Sequence, residues 1–549
     1  MTEKVKEYIA SLRGKKIAFV GMGVANAPSA LFLARHGLQV YACDSRDESY
    51  IGKKACEELR ACGVHFSLGK DYLRILPEMD IVFRSNGILP FQNPWIGECI
   101  ERGQTVTSEM EEFFHYCPAK IIGITGSNGK TTTTTLIYEM LKKAGHSAVI
   151  GGNIGKAMLP YLEDLTPSDY AVCELSSFQL LTMGNLVHQP DIAVVTNIES
   201  THLDHHISLD EYVDAKRNVL IYQSPSQRTV LNADCDYSIG HRVYHDMRYD
   251  VRGKLAEFSL EKPVNTGAYL DDNDNIVYAE DGTVTQIMPA SDIRLPGRHN
   301  IANYCTAIAA VWGLVQPEQI REVARTFGGV EHRIEFVREA DGVKYYNDSI
   351  ATSPSRVISG VRAFNQKIIA IQGGSDKGND LSEMVPDLLT HVKILILNGA
   401  TADKIEQAVL AAPDYDPDQL QIIKVKDLAQ AVEAARKAAQ PGDIVSLCPA
   451  CPAFDQFKTP WTGIQKVGER ILSTNTAALL QELTAVTGTP FSDEEVLNLL
   501  TTKLAAFGDV QVDTVHNISC TFGSGYHVVL EAHWDEMQAI VAEEAAKRN

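Results

Sequence analysis

The chain has 549 residues, 45% hydrophobic and 22% charged, with Asp+Glu 70 against Lys+Arg 50 and a formal net charge of −20. That length predicts three or four domains, and the acidic field argues against nucleic acid and anionic membranes as partners. Phosphate ligands must therefore be held by local cations, backbone N–H groups or metal ions.

Short β-branched runs alternate with helix-length segments almost throughout, as in "KKIAFVG", "LQVYACD", "KIIGITG" and "DYAVCEL". This pattern predicts βαβ units and parallel sheets, an α/β fold. No apolar run approaches the roughly 18 residues of a membrane span, and the N-terminus has no signal-like apolar core. The 11 scattered cysteines read as reduced thiols. The expected location is the cytoplasm. Domain boundaries are expected near Cys117-Pro118, Gly328-Gly329 and Ser473-Thr474, giving segments 1–118, 119–328, 329–473 and an appended 474–549.

The first segment opens "IAFVGMGVANAP", a strand, then Gly21 and Gly23, then a helix. Such glycines let a backbone approach a pyrophosphate at a helix N-terminus. Asp44 closes the next strand, where an acidic residue commonly meets a ribose hydroxyl. Asn26 stands where G-x-G-x-x-G has its third glycine, so a dinucleotide, another nucleotide and a bare turn all remain open.

The second segment carries "ITGSNGKTTTTT". The strict G-x-x-x-x-G-K-[ST] loop would need glycine at Ile124, so the spacing is shorter. Backbone N–H groups around Gly126, Ser127, Asn128 and Gly129 would cradle ATP phosphates. Lys130 would reach the β/γ oxygens, and Thr131 would hold Mg²⁺, with Thr132 beside it. Glu174 ends a buried strand, where a carboxylate is costly unless paired or metal-bound. His202 and Asp204 follow another strand, so Glu174 and His202 could share a second Mg²⁺. Lys216 in "YVDAKRNVL" would by itself read as a solvated lysine. Cys448 and Cys451 lack a second ligand pair or a thioredoxin context, so neither zinc nor redox chemistry is expected of them.

In chain order, "ITGSNGKTT", "GGNIG", "ELSSFQL", "TNIESTHLD", "DAKRN", "LPGRHNIANYCTA", "EHRIE", "NDSIATSP" and "GGSDKGND" together resemble the Mur ligases of peptidoglycan synthesis, and among them the D-glutamate-adding members. The likeness spans about residues 10 to 450. It implies a Rossmann-like N-domain, a central phosphate-loop ATPase domain and a Rossmann-like C-domain. It also implies addition of D-glutamate to UDP-N-acetylmuramoyl-L-alanine through an acyl phosphate, in a monomer using ATP and two Mg²⁺ ions. By the resemblance, Lys130 and Thr131 bind ATP phosphates and the first metal, while Glu174 and His202 hold the second. Lys216 matches the family's carbamylated lysine. Asn303 would contact adenine, and Arg333 and Asp348 would meet the nucleotide. Thr352 and Lys377 would hold D-glutamate. The UDP-sugar would lie at Gly21, Gly23, Asp44 and Ser45, with Asn86, Gly87 and Asn153.

The chain also departs from the family. Asn26 and Asn86 stand where many relatives have Gly and Pro, Ile350 stands where Lys is familiar, and Ala453 replaces Ser. Thr459-Pro460-Trp461 replaces the usual "FKNF" continuation, and Pro460 has no N–H for a carboxylate. The tail is similar to the opening of di-zinc aminopeptidases, with His533 and Asp535 matching "AHxDE", but it ends before the remaining ligands. It is expected to be a fused remnant or small accessory module of two helices and a few strands. The competing readings are a neighbouring Mur ligase with another acceptor, a non-catalytic nucleotide-binding homologue, and a dehydrogenase.

Overall fold

The computed structural model describes residues 1–89, 93–183, 189–198, 208–235, 238–239, 242–243, 247–330, 332–376 and 380–451, together with strand backbone at 509–512, 518–522, 526–531 and 540–543. These residues form two compact units. One comprises 1–335 with 359–366, the other 336–358 with 367–549.

Parallel strands buried on both faces read as unbroken apolar runs, and Lys16–Val20 and Ile81–Arg84 show it: all but Lys16 of these residues are buried. They are neighbours in a five-stranded parallel sheet ordered His65–Leu68, Gln39–Asp44, Lys16–Val20, Ile81–Arg84, Thr105–Thr107. Phe19 stacks on Phe83 with ring centroids 4.4 Å apart. The chain leaves the first strand toward one edge and later returns to its other side, opening a crevice at the strand C-termini between Lys16–Val20 and Ile81–Arg84.

The same unit holds a nine-stranded sheet. Its order is Thr283–Pro289, Asn275–Glu280, Gly267–Leu270, Lys254–Ser259, Arg228–Asn232, Ile192–Val195, Lys120–Thr125, Tyr170–Glu174, Ala148–Gly152. Pairing is parallel from Gly267–Leu270 to Ala148–Gly152, and the last two strands add antiparallel. Leu136, Ile137 and Met140 of the helix Lys130–Lys143 share one buried core with Tyr304, Ile308 and Val311 of the helix Arg298–Val311. That packing places the loop before the first helix beside the opening turn of the second.

The second unit has a six-stranded sheet ordered Glu335–Ala340, Val343–Asn347, Ile444–Ala450, Ile368–Gly373, Val392–Asn398, Gln421–Lys424, parallel from Val343–Asn347 onward. Within the tail, Asp509–Val512, Ile518–Phe522, Tyr526–Glu531 and Ile540–Glu543 make a four-stranded antiparallel meander. The helices expected in the tail, and His533 and Asp535, lie outside the described residues. The α/β class expected from the strand–helix alternation is what these sheets show.

Candidate active site

The strand Lys120–Thr125 runs straight into the phosphate loop, and the loop is held by its neighbour strand. Ser127 N–H donates to Asn197 O at 2.8 Å, and Asn128 N–H to Asn197 Oδ1 at 2.8 Å. Thr196 Oγ1 donates to Asn128 O at 2.6 Å. This close approach explains the glycines. A Cβ on Gly126 would lie 1.9 Å from Thr196 Oγ1, and one on Gly129 2.4 Å from Asn303 Oδ1. Both glycines have positive φ, 144° and 79°, which a side chain would strain. The loop thus has two residues fewer between its glycines than the longer pattern, and its backbone lies close against Thr196 and Asn303.

Lys130 begins the helix and folds back over the loop, its Nζ donating to Gly126 O and Ser127 O, both at 2.9 Å. Thr131 and Thr132 follow in the first turn, half-buried and buried. An α-helix N-terminus with backbone N–H groups and a lysine at its mouth is an anion cradle.

Three strand ends converge beside it. Glu174 closes its strand 2% exposed, and its Oε1 accepts from Asn153 Nδ2 at 2.9 Å. Its Oε2 is buried with no hydrogen-bond partner among the described residues. A buried carboxylate oxygen left in this condition costs free energy unless a cation meets it. Hard oxygen donors, the Glu174 carboxylate and the Thr131 hydroxyl, suit Mg²⁺, so these side chains fit the expected metal. His202 and Asp204 lie outside the described residues, among which no group of three His, Cys, Asp or Glu is gathered as a metal site.

Lys216 is not a solvated lysine. It is 2% exposed, and its Nζ donates to Gly126 O at 2.8 Å and Thr125 Oγ1 at 3.3 Å. Burial holds its pKa well below the ordinary value. The charge of Lys130 pushes the same way, and Glu174 opposes. Tyr212, one turn earlier on the helix Leu209–Arg217, lies under the amine with its ring centroid 4.6 Å away, and its hydroxyl meets Ser127 Oγ at 2.8 Å. Tyr212 escaped the sequence reading, although its i, i+4 spacing to Lys216 puts both on one helix face.

On the far side of the loop, Asn303 Nδ2 donates to Asn300 Oδ1 at 3.1 Å, and Thr133 Oγ1 donates to Asn303 Oδ1 at 3.4 Å. Arg333 sits between two left-handed residues, His332 (φ 68°) and Ile334 (φ 43°). Burial, then the charge of Arg333, lowers the pKa of His299, so that guanidinium lies within electrostatic reach of the helix bearing Asn303.

At the first sheet, Gly21 has φ 84°, and a Cβ there would meet Ser85 Oγ at 2.8 Å. Gly23 and Gly87 face open space. Asn26 ties the helix start to the strand end, its Nδ2 donating to Val20 O at 3.2 Å and to Gly21 O at 3.0 Å. Asp44 is 1% exposed and accepts from Met22 N–H at 2.8 Å and from the Arg46 backbone and Nε at 2.9 Å. Burial opposes its ionisation, yet hydrogen bonds from Arg46 and Met22 hold its pKa below the ordinary value. Ser45 and Arg46 are exposed at the mouth of this turn, Asn86 is half-buried and Gly87 exposed. Arg46 is a second residue the motifs did not single out.

In the second unit Asp348 is 4% exposed, with its N–H on Leu447 O at 2.8 Å, and Thr352 N–H donates to Ile350 O at 2.8 Å. Lys377, Ala453 and Thr459-Pro460-Trp461 lie outside the described residues. Cys448 is buried, which pushes its thiol up to about 12, as befits an inert thiol.

A strand-loop-helix anion cradle with a buried carboxylate and lysine beside it, on a mainly parallel sheet, defines a nucleoside-triphosphate-binding α/β protein. The family model described as Mur ligase middle domain matches residues 124–311, and that of the Mur ligase, glutamate ligase domain, matches 332–451. The UDP-N-acetylmuramoylalanine--D-glutamate ligase of Acetivibrio thermocellus is 43% identical over 460 residues, covering 83% of this chain and 96% of the relative. Its namesake from Clostridium kluyveri is 42% identical over 457 residues, with the same coverage. The chain belongs to the Mur ligase family. Its fold is similar to that of UDP-N-acetylmuramate-alanine ligase MurC from Thermotoga maritima (TM-score 0.54, 16% identity, 84% of this chain and 100% of that one). MurF from Acinetobacter baumannii is similar too (TM-score 0.51, 16% identity, 82% and 93%). The family models end at residue 451, so the likeness of the tail to aminopeptidases is carried by sequence motifs alone.

Proposed function

We infer that this chain is an ATP-dependent amide ligase that joins D-glutamate to UDP-N-acetylmuramoyl-L-alanine. The observation that carries the reading is the Oε2 of Glu174, buried next to a braced phosphate loop with no hydrogen-bond partner among the described residues, in a chain more than 40% identical to D-glutamate ligases along nearly their whole length. No described helix is long and apolar enough to cross a membrane, and we place the enzyme in the cytoplasm as a monomer. The UDP-binding module is assigned to 1–118, the ATPase module to 119–328 and the acceptor module to 329–473.

In this reading the L-alanine carboxylate attacks the γ-phosphorus of ATP, ADP leaves, and an acyl phosphate forms. The D-glutamate amine then attacks the acyl carbon, loses a proton, and inorganic phosphate departs. The phosphate loop and Lys130 hold the phosphates and take up charge on the transferring group, while the Ser127 and Asn128 amides brace the loop on Asn197. Asn303 and Arg333 hold the adenosine end. Two Mg²⁺ ions at Thr131, Glu174 and His202 would supply further charge neutralisation. Lys216, as a carbamate, would turn from a competing cation into an anionic support for that pair. The Gly21–Gly23 turn, Asp44, Ser45, Asn86-Gly87 and Asn153 hold the UDP-sugar, and Asp44 also accepts from Met22 N–H within that turn. Asp348 would meet the nucleotide, and Thr352 and Lys377 would hold the D-glutamate.

The test is phosphate release from Mg-ATP and UDP-N-acetylmuramoyl-L-alanine, with D-glutamate, L-glutamate or neither. Release that requires D-glutamate is expected. Release with another amino acid only would move the chain to a neighbouring branch, and none despite ATP binding would make it a non-catalytic homologue.

A further inference from the structure

The strand Ile81–Arg84 ends on a charged residue buried as deeply as its apolar neighbours. The Arg84 side chain is 1% exposed, and its Nη2 donates to Glu111 Oε1 at 2.9 Å. The same nitrogen donates to Thr182 Oγ1, whose hydroxyl in turn donates to Glu111 Oε1 at 2.7 Å. Arg84, Glu111 and Thr182 therefore close a triangle of hydrogen bonds. Each comes from a different element: the first sheet, the helix Glu109–Tyr116 and the helix Ser177–Thr182.

Stability is a poor reason for this triangle. Buried ion pairs roughly break even against apolar packing, and Arg84 Nη1 is buried with no partner among the described residues, which adds a desolvation cost. What the triangle does supply is registry. Arg84 directly precedes Ser85–Gly87, the loop at the sheet crevice, and Thr182 ends the helix that follows Glu174 and its capping-box Ser176. A bond between the two ends sets the spacing between the crevice of the first sheet and the Glu174 end of the second.

We propose that Arg84 is a positioning residue for ligation: through Glu111 and Thr182 it sets the bound UDP-sugar peptide at the right distance from the ATP γ-phosphate. This rests on the ligase reading above. A misplacement of about 1 Å at reacting atoms can cost on the order of a hundredfold in rate, so registry of this kind acts on kcat.

The test uses the full chain and two variants. R84M/E111Q removes both charges and leaves no orphaned buried carboxylate, while T182V keeps the volume and deletes the hydroxyl. For R84M/E111Q we expect kcat to fall at least tenfold and KM for UDP-N-acetylmuramoyl-L-alanine to rise, with KM for ATP unchanged. T182V should shift both constants the same way by a smaller factor, and it decides the matter should the double variant not fold. Kinetic constants within twofold of wild type in the folded variants would overturn the proposal, even with a lowered Tm. Failure of the ligase reading looks different, because the wild-type chain itself would then show no D-glutamate-dependent phosphate release.

Discussion

The amine of Lys216 donates to the carbonyl oxygen of Gly126 at 2.8 Å, so the buried lysine and the phosphate loop form one hydrogen-bonded unit. Burial, and then Lys130, hold its pKa well below 10.5 against the pull of Glu174. Between that depressed value and 10.5 the folded chain binds fewer protons than the unfolded one. The site's penalty on folding is therefore full below this window and fades as pH rises through it. Lys216→Met should leave Tm at pH 7 equal or higher, while ligation falls at least a hundredfold. In wild-type protein equilibrated with ¹³C-bicarbonate, NMR should show a carbamate carbon that K216M lacks. Activity of K216M within tenfold of wild type would rule out an anionic role for this side chain.

Gly126→Ala tests the tight loop. The new methyl would overlap Thr196 Oγ1 at 1.9 Å and sit at φ 144°. Removing the Thr196 side chain relieves only the first problem. We expect G126A to lose about 1–3 kcal/mol of stability and its thermal stabilisation by ATP, and G126A/T196A to recover little of either. Full recovery of ATP binding in the double variant would show that the clash, not the backbone, sets the glycine requirement. Thermal shift with and without ATP makes the measurement.

Glu174→Gln separates metal binding from folding. Gln Oε1 can still accept from Asn153, and an amide nitrogen replaces the buried oxygen that has no partner among the described residues. The apo variant should unfold at or above the wild-type temperature, because a buried carboxylate with one idle oxygen is exchanged for a neutral group. The extra stabilisation that wild type gains from Mg-ATP over ATP alone should drop by more than half. An unchanged Mg²⁺ increment would exclude Glu174 as a metal ligand.

Much of this could be read in the sequence because it is local. A strand, a glycine loop and a helix in succession specify the phosphate cradle, and buried apolar runs mark the parallel strands. Asn26 shows what local reading leaves out. Read as a lost glycine, it is a side-chain tie between strand and helix through Val20 O and Gly21 O. Asp44, read as meeting a ribose hydroxyl, also accepts from Met22 and Arg46, bonds that the motif does not announce. The antiparallel strands Asn275–Glu280 and Thr283–Pro289 extend a sheet that alternation of strands and helices does not announce. The Arg84–Glu111–Thr182 triangle was not legible because its members are 27 to 98 residues apart. A lone Arg after an apolar run gives no hint of a partner that only tertiary packing supplies. Lys216 is the intermediate case: its burial was out of reach, and the family resemblance alone singled it out.

Glu109 shows how the first unit is tied together. It is buried at the start of the helix Glu109–Tyr116 and accepts the backbone N–H of Leu159 at 2.7 Å and that of Met158, just beyond the Asn153 loop. Burial pushes its pKa from 4.5 up to about 7, against those two hydrogen bonds. Tyr8 and Cys173 lie in its field, and both are raised well above their ordinary values, so neither titrates in this range. Between pH 4.5 and about 7 the folded chain therefore holds more of this proton than the unfolded chain does. The stability it contributes is complete below 4.5 and is lost as pH rises through 7, up to about 3 kcal/mol for a shift of this size. Glu109→Gln keeps an oxygen for both amides and cannot ionise. In urea titrations at pH 5.5 and 8.5, wild type should lose more stability than E109Q between the two pH values, and E109Q should be the more stable protein at pH 8.5. Equal losses in the two proteins would mean that Glu109 is already ionised in the folded state at pH 5.5.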